Sequence, residues 1–374
     1  MRRCLVDSRS TGRHVWNYML VNTLASSRML ILGAICGFGR TCVRLSGMRV
    51  TAVSGGIGGA RFLRGLLRVL DPADEVTVIA NTADDIWLFG LKICPDLDTL
   101  MYTLGGGIDE GRGWGRAEET WHAKEELAAY GVQPDWFGLG DRDLATHVVR
   151  TQMLSAGYPL SAVTAALCER WQPGVRLLPM SDDRVETHVL IEDSSAASGR
   201  RALHFQEYWV RLHAEPPVHD VVVVGLEEAE PAPGVLQAIA DADVVLLPPS
   251  NPVVSVGTVL GVPTLADALR DGSAPVVGVS PVIAGAAVRG MADQLLAGLG
   301  RERTAAGIAR HYGSRSSGGV LDGWLVDTVD AADVLGLEAA GITARSVPLL
   351  MRSDDATAAM ARAALDLAVQ TMSR

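Results

Sequence analysis

RVTAVSGGIGGARFLRGLLRVLDPADEVTVIANT (49–82) decides the architecture. Its first run, RVTAVSG (49–55), is β-rich and ends in glycines. Apolar residues then recur at helical spacing: Phe62, Leu63, Leu66, Leu67 and Leu70. EVTVIANT (75–82) reads as a second strand. Strand, helix and strand joined by short links make a βαβ unit, which calls for a parallel sheet. Four later runs read as further strands: DVVVVG (220–225), DVVLLPPS (243–250), APVVGVS (274–280) and GWLVDT (323–328). Continuous apolar runs suit strands covered on both faces. The expected fold is α/β: a Rossmann-like, mostly parallel sheet with helices on both faces.

The middle of the chain breaks that alternation. Residues 144–217 read as two helices followed by two extended stretches, ETHVLIED and RALHFQEYWVRL. They are expected to form an inserted, smaller α+β subdomain, with 48–143 and 218–374 as the nucleotide-binding core. Residues 1–47 have a basic start and an apolar run, MLILGAICGFG, too short to span a bilayer. They read as a non-native or loose extension, with the native start near Met48.

The chain has 374 residues, 48% of them hydrophobic, enough for a large core. A net charge of −10 disfavours general nucleic-acid binding and anionic membrane surfaces. Basic residues are almost all Arg; the two lysines are Lys92 and Lys124. Five scattered cysteines without CxxC spacing fit reduced thiols in the cytoplasm.

In an open parallel sheet, ligands bind beyond the carboxyl ends of the strands. The segments there are SGGIGGAR, NTADD, PPSNPVVSVG and SPVIAG. Gly55, Gly56, Gly58 and Gly59 can present bare amides to a phosphate at a helix start. A tight turn explains them equally well. Arg61 stands where a dinucleotide fingerprint needs glycine, and Asn81 stands where an acidic residue would hold a ribose, so a dehydrogenase is disfavoured. Arg61 reads more simply as a solvated helix arginine. Ser250 and Asn251, between prolines, fit either a phosphate or base contact or a capped turn.

NTADDIWLFGLKICPDLDTLMYTLGGG (81–107) crowds Asp84, Asp85, Asp96 and Asp98 together. Helix capping accounts for one Asp per helix. Two pairs near one rim point instead to a metal–phosphate role for at least two of them, because Mg²⁺ takes one or two carboxylates plus phosphate oxygens. Trp87, Trp114 and Trp121 offer stacking surfaces. In GDRD (140–143), Asp143 reads as an N-cap, and Arg142 as a salt-bridge member or a ligand contact. His147, His188 and His204 are too dispersed for a zinc site.

Taken together, GGIGGARFLRGL, CPDLDTLMYTLGGG, GLGDRDLATHVVRTQML, LLPMSDDRVETHV, HFQEYWVR, PSNPVVSVG and SPVIAG resemble the CofD/FbiA family of coenzyme F420 biosynthesis, in order from about Met48 to the C-terminus. The actinobacterial FbiA branch is most similar. The resemblance implies a Mg²⁺-dependent transferase that moves a phosphoenolpyruvyl group from enolpyruvyl-diphospho-guanosine to the terminal ribityl hydroxyl of the deazaflavin FO, releasing GMP. Lactyl-diphospho-guanosine is the alternative donor. A non-catalytic nucleotide-sugar-binding regulator of the gluconeogenesis-factor type is the rival. The family's metal- and FO-contacting positions fall on Asp84, Asp96, Asp98 and Arg142. Asp84 and Asp96 are read as metal ligands, Asp98 and Arg142 with the stacking candidate Trp87 as FO contacts, and Asp98, Asp84 and Arg142 as catalytic. A homodimer is likewise implied.

Overall fold

The computed structural model describes residues 47–373; the expectation about an N-terminal extension therefore concerns residues outside those described. The first half of the chain runs β1 (Arg49–Ser54), α1 (Ile57–Leu67), β2 (Glu75–Ala80), β3 (Ile86–Leu88), β4 (Leu91–Ile93) and α2 (Pro95–Leu104). It continues through α3 (His122–Ala129), α4 (Asp141–Ser155), α5 (Leu160–Trp171), β5 (Arg176–Pro179), β6 (Glu186–Glu192), β7 (Arg200–His204) and β8 (Val218–Val224). Then come α6 (Val235–Asp241), β9 (Val244–Leu247), α7 (Val256–Gly261), α8 (Leu265–Asp271), β10 (Val276–Val279), β11 (Val282–Ile283) and β12 (Ala286–Ala287). The last elements are α9 (Ala292–Gly298), α10 (Ala305–Tyr312), β13 (Gly323–Val326), α11 (Asp333–Ala339), β14 (Thr343–Ser346) and α12 (Asp354–Met372).

Seven strands form the main sheet in the order β14-β13-β10-β9-β1-β2-β5, and every pairing is parallel. Side chains alternate between its faces, as the pleat requires. Val50, Ala52, Val78, Leu246 and Leu325 join one core with α1, α2 and α12. Val53, Ile79, Val245, Trp324 and Val326 join the other, with α6, α7, α8, α10 and α11. Each fully buried Val or Leu contributes about 1.5–3 kcal/mol, so these two layers supply most of the driving force.

Two parts of the expected layout differ. DVVVVG (220–225) is not in the parallel sheet: β8 pairs antiparallel with β6, which also pairs with β7, making a separate three-stranded sheet. Its valines alternate, with Val222 and Val224 exposed. Conversely, β5 lies inside the expected insertion yet pairs with β2 at the edge of the main sheet. The antiparallel part is therefore β6–β8, and residues 47–373 cluster as one compact unit.

The strand order reverses between β1 and β9. From β1 the chain steps outward through β2 to β5; from β9 it steps the other way through β10 and β13 to β14. That reversal leaves a crevice at the carboxyl ends of β1 and β9, the favoured ligand position of such sheets.

Candidate active site

Two loops meet at the crevice. The Gly55 amide, after β1, donates to Ser250 Oγ, after β9, at 3.2 Å. The glycines are needed for close approach, but to the protein's own loops. A Cβ on Gly58 would run into the Pro249 carbonyl, and one on Gly59 into the Ser54 and Ser250 hydroxyls. A Cβ on Gly56 would strike the Asp96 carboxylate. Gly56 is the N-cap of α1 and no side chain caps that helix. Its first amides thus keep their affinity for an added anion. Asn251 serves its own loop: Oδ1 accepts from the Val253 amide at 2.9 Å and the Val254 amide at 3.3 Å.

The PDLD segment is the first turn of α2. Pro95 fits the first helical position, and Asp96 and Asp98 suit the positive end of the helix. Asp96 Oδ2 accepts from Asn81 Nδ2 at 3.0 Å, and Asn81 Oδ1 accepts from the Ala83 amide at 3.1 Å. Asn81, fully buried after β2, therefore ties the DD turn to α2.

The four carboxylates separate into two kinds. Asp85 lies 3.2 Å from the Lys92 ammonium on β4. Asp98 pairs through Oδ1 with Arg150 Nη2 on α4, and both side chains are buried. Among the described residues Asp84 and Asp96 have no such cation. Burial, then the charge of Asp96, pushes the Asp84 carboxyl well above its usual range. Burial likewise raises Asp96, to about 6, although Asn81 and the Gly56 amide hold it back. Asp84 Oδ1 is buried without a hydrogen-bond partner.

Arg150 continues inward. Its Nη1 donates to His147 Nδ1 at 3.0 Å and to the Lys92 carbonyl at 3.3 Å. His147 Nε2 lies 3.2 Å from Asp143 Oδ2, and the Tyr102 hydroxyl donates to Asp143 Oδ1 at 2.6 Å. Asp143 is thus no N-cap. Glu119 caps α4 from outside, accepting the Arg142 amide at 2.6 Å and the Asp143 amide at 3.1 Å. Asp141 reciprocates at the start of α3, where it accepts the His122 and Ala123 amides. The side chain of Arg142 is half-exposed and pairs with Glu118 at 3.0 Å.

The antiparallel sheet grips the DD turn from the other side. Gln206 Nε2 donates to the Asp84 carbonyl at 3.2 Å, and His204 Nε2 contacts the Asp85 carbonyl at 3.1 Å. The Thr187 amide donates to the Ala83 carbonyl at 2.7 Å. Trp87 is exposed on the β3–β4 hairpin, as is Trp114, while Arg112 stacks between Trp114 and Trp121 at 5.2 Å from each ring. Arg150, Gln206 and Glu119 are site residues to which the sequence pattern assigns no role, although Arg150 and Gln206 lie within recognised motifs.

Among the described residues, no group of three or more His, Cys, Asp or Glu side chains is arranged to hold a metal. The donor set still fits Mg²⁺, which is commonly bound by one or two carboxylates and completed by waters and substrate phosphates. Two like charges buried together, one with an orphaned oxygen, are costly until a cation offsets them.

The comparisons agree with one another. Residues 50–348 match the model of the family described as 2-phospho-L-lactate transferase CofD. A Streptomyces coelicolor protein named phosphoenolpyruvate transferase is 65% identical over 321 residues, covering 86% of this chain and 98% of its own. A Streptomyces avermitilis protein of the same name is 67% identical over the same shares. One from Mycobacterium sp. strain JLS is 58% identical over 337 residues, covering 87% of this chain and all of its own. A solved Bacillus halodurans structure of the UPF0052 family matches with a TM-score of 0.57 at 18% identity, over 85% of this chain and 99% of that one. That last likeness supports the fold.

Proposed function

The chain belongs to the 2-phospho-L-lactate transferase CofD family, and so is a transferase of coenzyme F420 biosynthesis; from that premise we propose that it moves a phosphoenolpyruvyl group from enolpyruvyl-diphospho-guanosine to FO. The preference for the phosphoenolpyruvyl donor follows the name shared by relatives at 58–67% identity. The terminal ribityl hydroxyl oxygen of FO attacks the phosphorus that carries the three-carbon acid. The bond from that phosphorus to the bridging oxygen breaks, GMP leaves with the oxygen, and the hydroxyl proton is released.

The observation that carries this reading is the uncompensated pair Asp84 and Asp96 beside the open start of α1. We assign Mg²⁺ to these two carboxylates; when bound, it would offset charge on the departing phosphate. The amides after Gly56 and the Ser250 hydroxyl at the crevice would orient the diphosphate. Arg150 fixes the orientation of Asp98, whose Oδ2 is buried without a hydrogen-bond partner. Asp98 is therefore the candidate group to orient the attacking hydroxyl. Arg142, exposed and paired with Glu118, is assigned to FO as the resemblance implies, and exposed Trp87 as a stacking surface for it.

A homodimer is proposed because the resemblance implies one, and a cytoplasmic location because the scattered cysteines fit reduced thiols. No helix among the described residues is long and apolar enough to cross a membrane. The test mixes the protein with FO, Mg²⁺ and each activated donor, then follows mass gain on FO and release of GMP. Product with the enolpyruvyl donor supports the proposal. Product with the lactyl donor alone reassigns the donor, and no product with either, ligand binding intact, overturns the transferase reading.

A further inference from the structure

Helix α1 carries a basic stripe. Ile57, Arg61, Arg64 and Arg68 follow one another along one face. The two arginines farther from the crevice are neutralised. Arg64 pairs with Glu110 and, at 3.4 Å, with Asp354. Arg68 pairs with Asp354 and Asp355 at 3.1 Å each. Arg61, nearest the glycine turn, has no carboxylate at ion-pairing distance among the described residues. Helical side chains lean toward the N-terminus, so its guanidinium covers the turn that begins at Ile57.

A second arginine arrives at the same place from a different element. Arg289 lies between β12 and α9 and is exposed. A Cβ on Gly113 would meet Arg289 Nη1 at 2.7 Å and Ile57 Cγ2 at 3.7 Å, and Gly113 has φ +76°. The Arg289 guanidinium therefore lies over a left-handed glycine that Ile57, the first residue of α1, also approaches. Arg289 too lacks an ion-pair partner among the described residues. Burial, followed by the charge of Arg289, lowers the pKa of Arg61, while Glu110 opposes the shift. A guanidinium does not give up its proton in a protein, so both groups stay cationic at this end of α1.

We propose that Arg61 and Arg289, with the uncapped amides of α1, form a clamp for one oxyanion of the activated donor: a diphosphate oxygen group or the carboxylate of its three-carbon acid. Two forked guanidinium groups match either anion in a bidentate way. Their convergence from separate segments explains why the stripe on α1 is neutralised everywhere except at this end. The inference rests on the donor reading above, but its test does not require turnover.

The test is calorimetric binding to the full chain with Mg²⁺, using GDP and the acid-bearing donor as separate probes. Arg61→Met and Arg289→Met are each expected to weaken binding about tenfold, the scale of one lost charge-assisted contact. Arg289→Lys, which keeps the charge, is expected to restore part of it. Arg362→Met, an exposed change on α12 that removes the same charge, is expected to leave binding unchanged. Weakening for GDP and the donor alike assigns the clamp to phosphate; weakening for the donor alone assigns it to the carboxylate. Unchanged affinity for both probes, in Arg61→Met and Arg289→Met proteins that melt like the wild type, overturns the clamp. Binding that depends on both arginines in a protein that transfers nothing would leave the clamp standing and sink the transferase proposal.

Discussion

Asp85 and Asp98 sit within a few residues of Asp84 and Asp96, yet the two sets live in opposite electrostatic settings. Lys92 and Arg150 compensate the first set from inside the protein. Among the described residues nothing of that kind compensates the second; burial pushes both its members upward, with the charge of Asp96 adding to Asp84 and that of Asp85 to Asp96. A carboxylate matched by an internal cation is stabilised as the anion and held in one orientation, which in Asp98 suits the positioning role assigned to it. A carboxylate left unmatched beside an open helix start is held ready for a ligand, and the fold bears its cost until that ligand binds.

The contrast can be broken most severely at Arg150. Arg150→Met strands the buried Asp98 charge and is expected to cost about 3–5 kcal/mol of stability, read by denaturant unfolding. A loss below about 1 kcal/mol would mean that the pair is not the structural one. Asp84→Ala should do the reverse. It is expected to keep the fold and to lower Mg²⁺-dependent turnover by about 10²–10³, the scale of removing one preorganised electrostatic group. Full turnover in that variant would remove the metal assignment.

Asp96 gives a pH signature of the unmatched set. Its folded-state pKa, raised to about 6, exceeds the ordinary value of 3.8. The stability it contributes is thus complete below pH 3.8 and is lost as pH rises through 6. Asp96→Asn is therefore expected to be more stable than the wild type at pH 7 without metal, by at most about 3 kcal/mol, with the gap closing between pH 6 and 4. Added Mg²⁺ at pH 7 should narrow that gap by stabilising the wild type alone. A gap that widens on acidification would reverse the assignment. The smallest effect belongs to the surface: Arg64→Ala loses pairs with half-exposed Glu110 and Asp354 and should cost under about 1 kcal/mol.

Much of this was legible from local patterns. The βαβ reading of 49–82 holds strand for strand, because periodicity and glycine placement are local. The meeting of the β1 and β9 loops followed from the rule for parallel sheets. The pairing of the four aspartates did not follow, since Arg150 reaches Asp98 across 52 residues. DVVVVG has the composition of a buried strand, and only its partner β6 makes alternate valines face outward. Asp143 looks like a cap in GDRD because Glu119, which performs that task, precedes it by 24 residues.

The near absence of lysine has a practical corollary. The sequence holds only Lys92 and Lys124, and Lys92 is locked against Asp85 under the DD turn. Acylating reagents that target amines should modify Lys124, beside Trp121, and the chain terminus, leaving Lys92 untouched. Any modification of Lys92 would then register a moment when the turn lets go. Peptide mapping after timed exposure becomes a chemical stopwatch for opening at the crevice, with no engineered label.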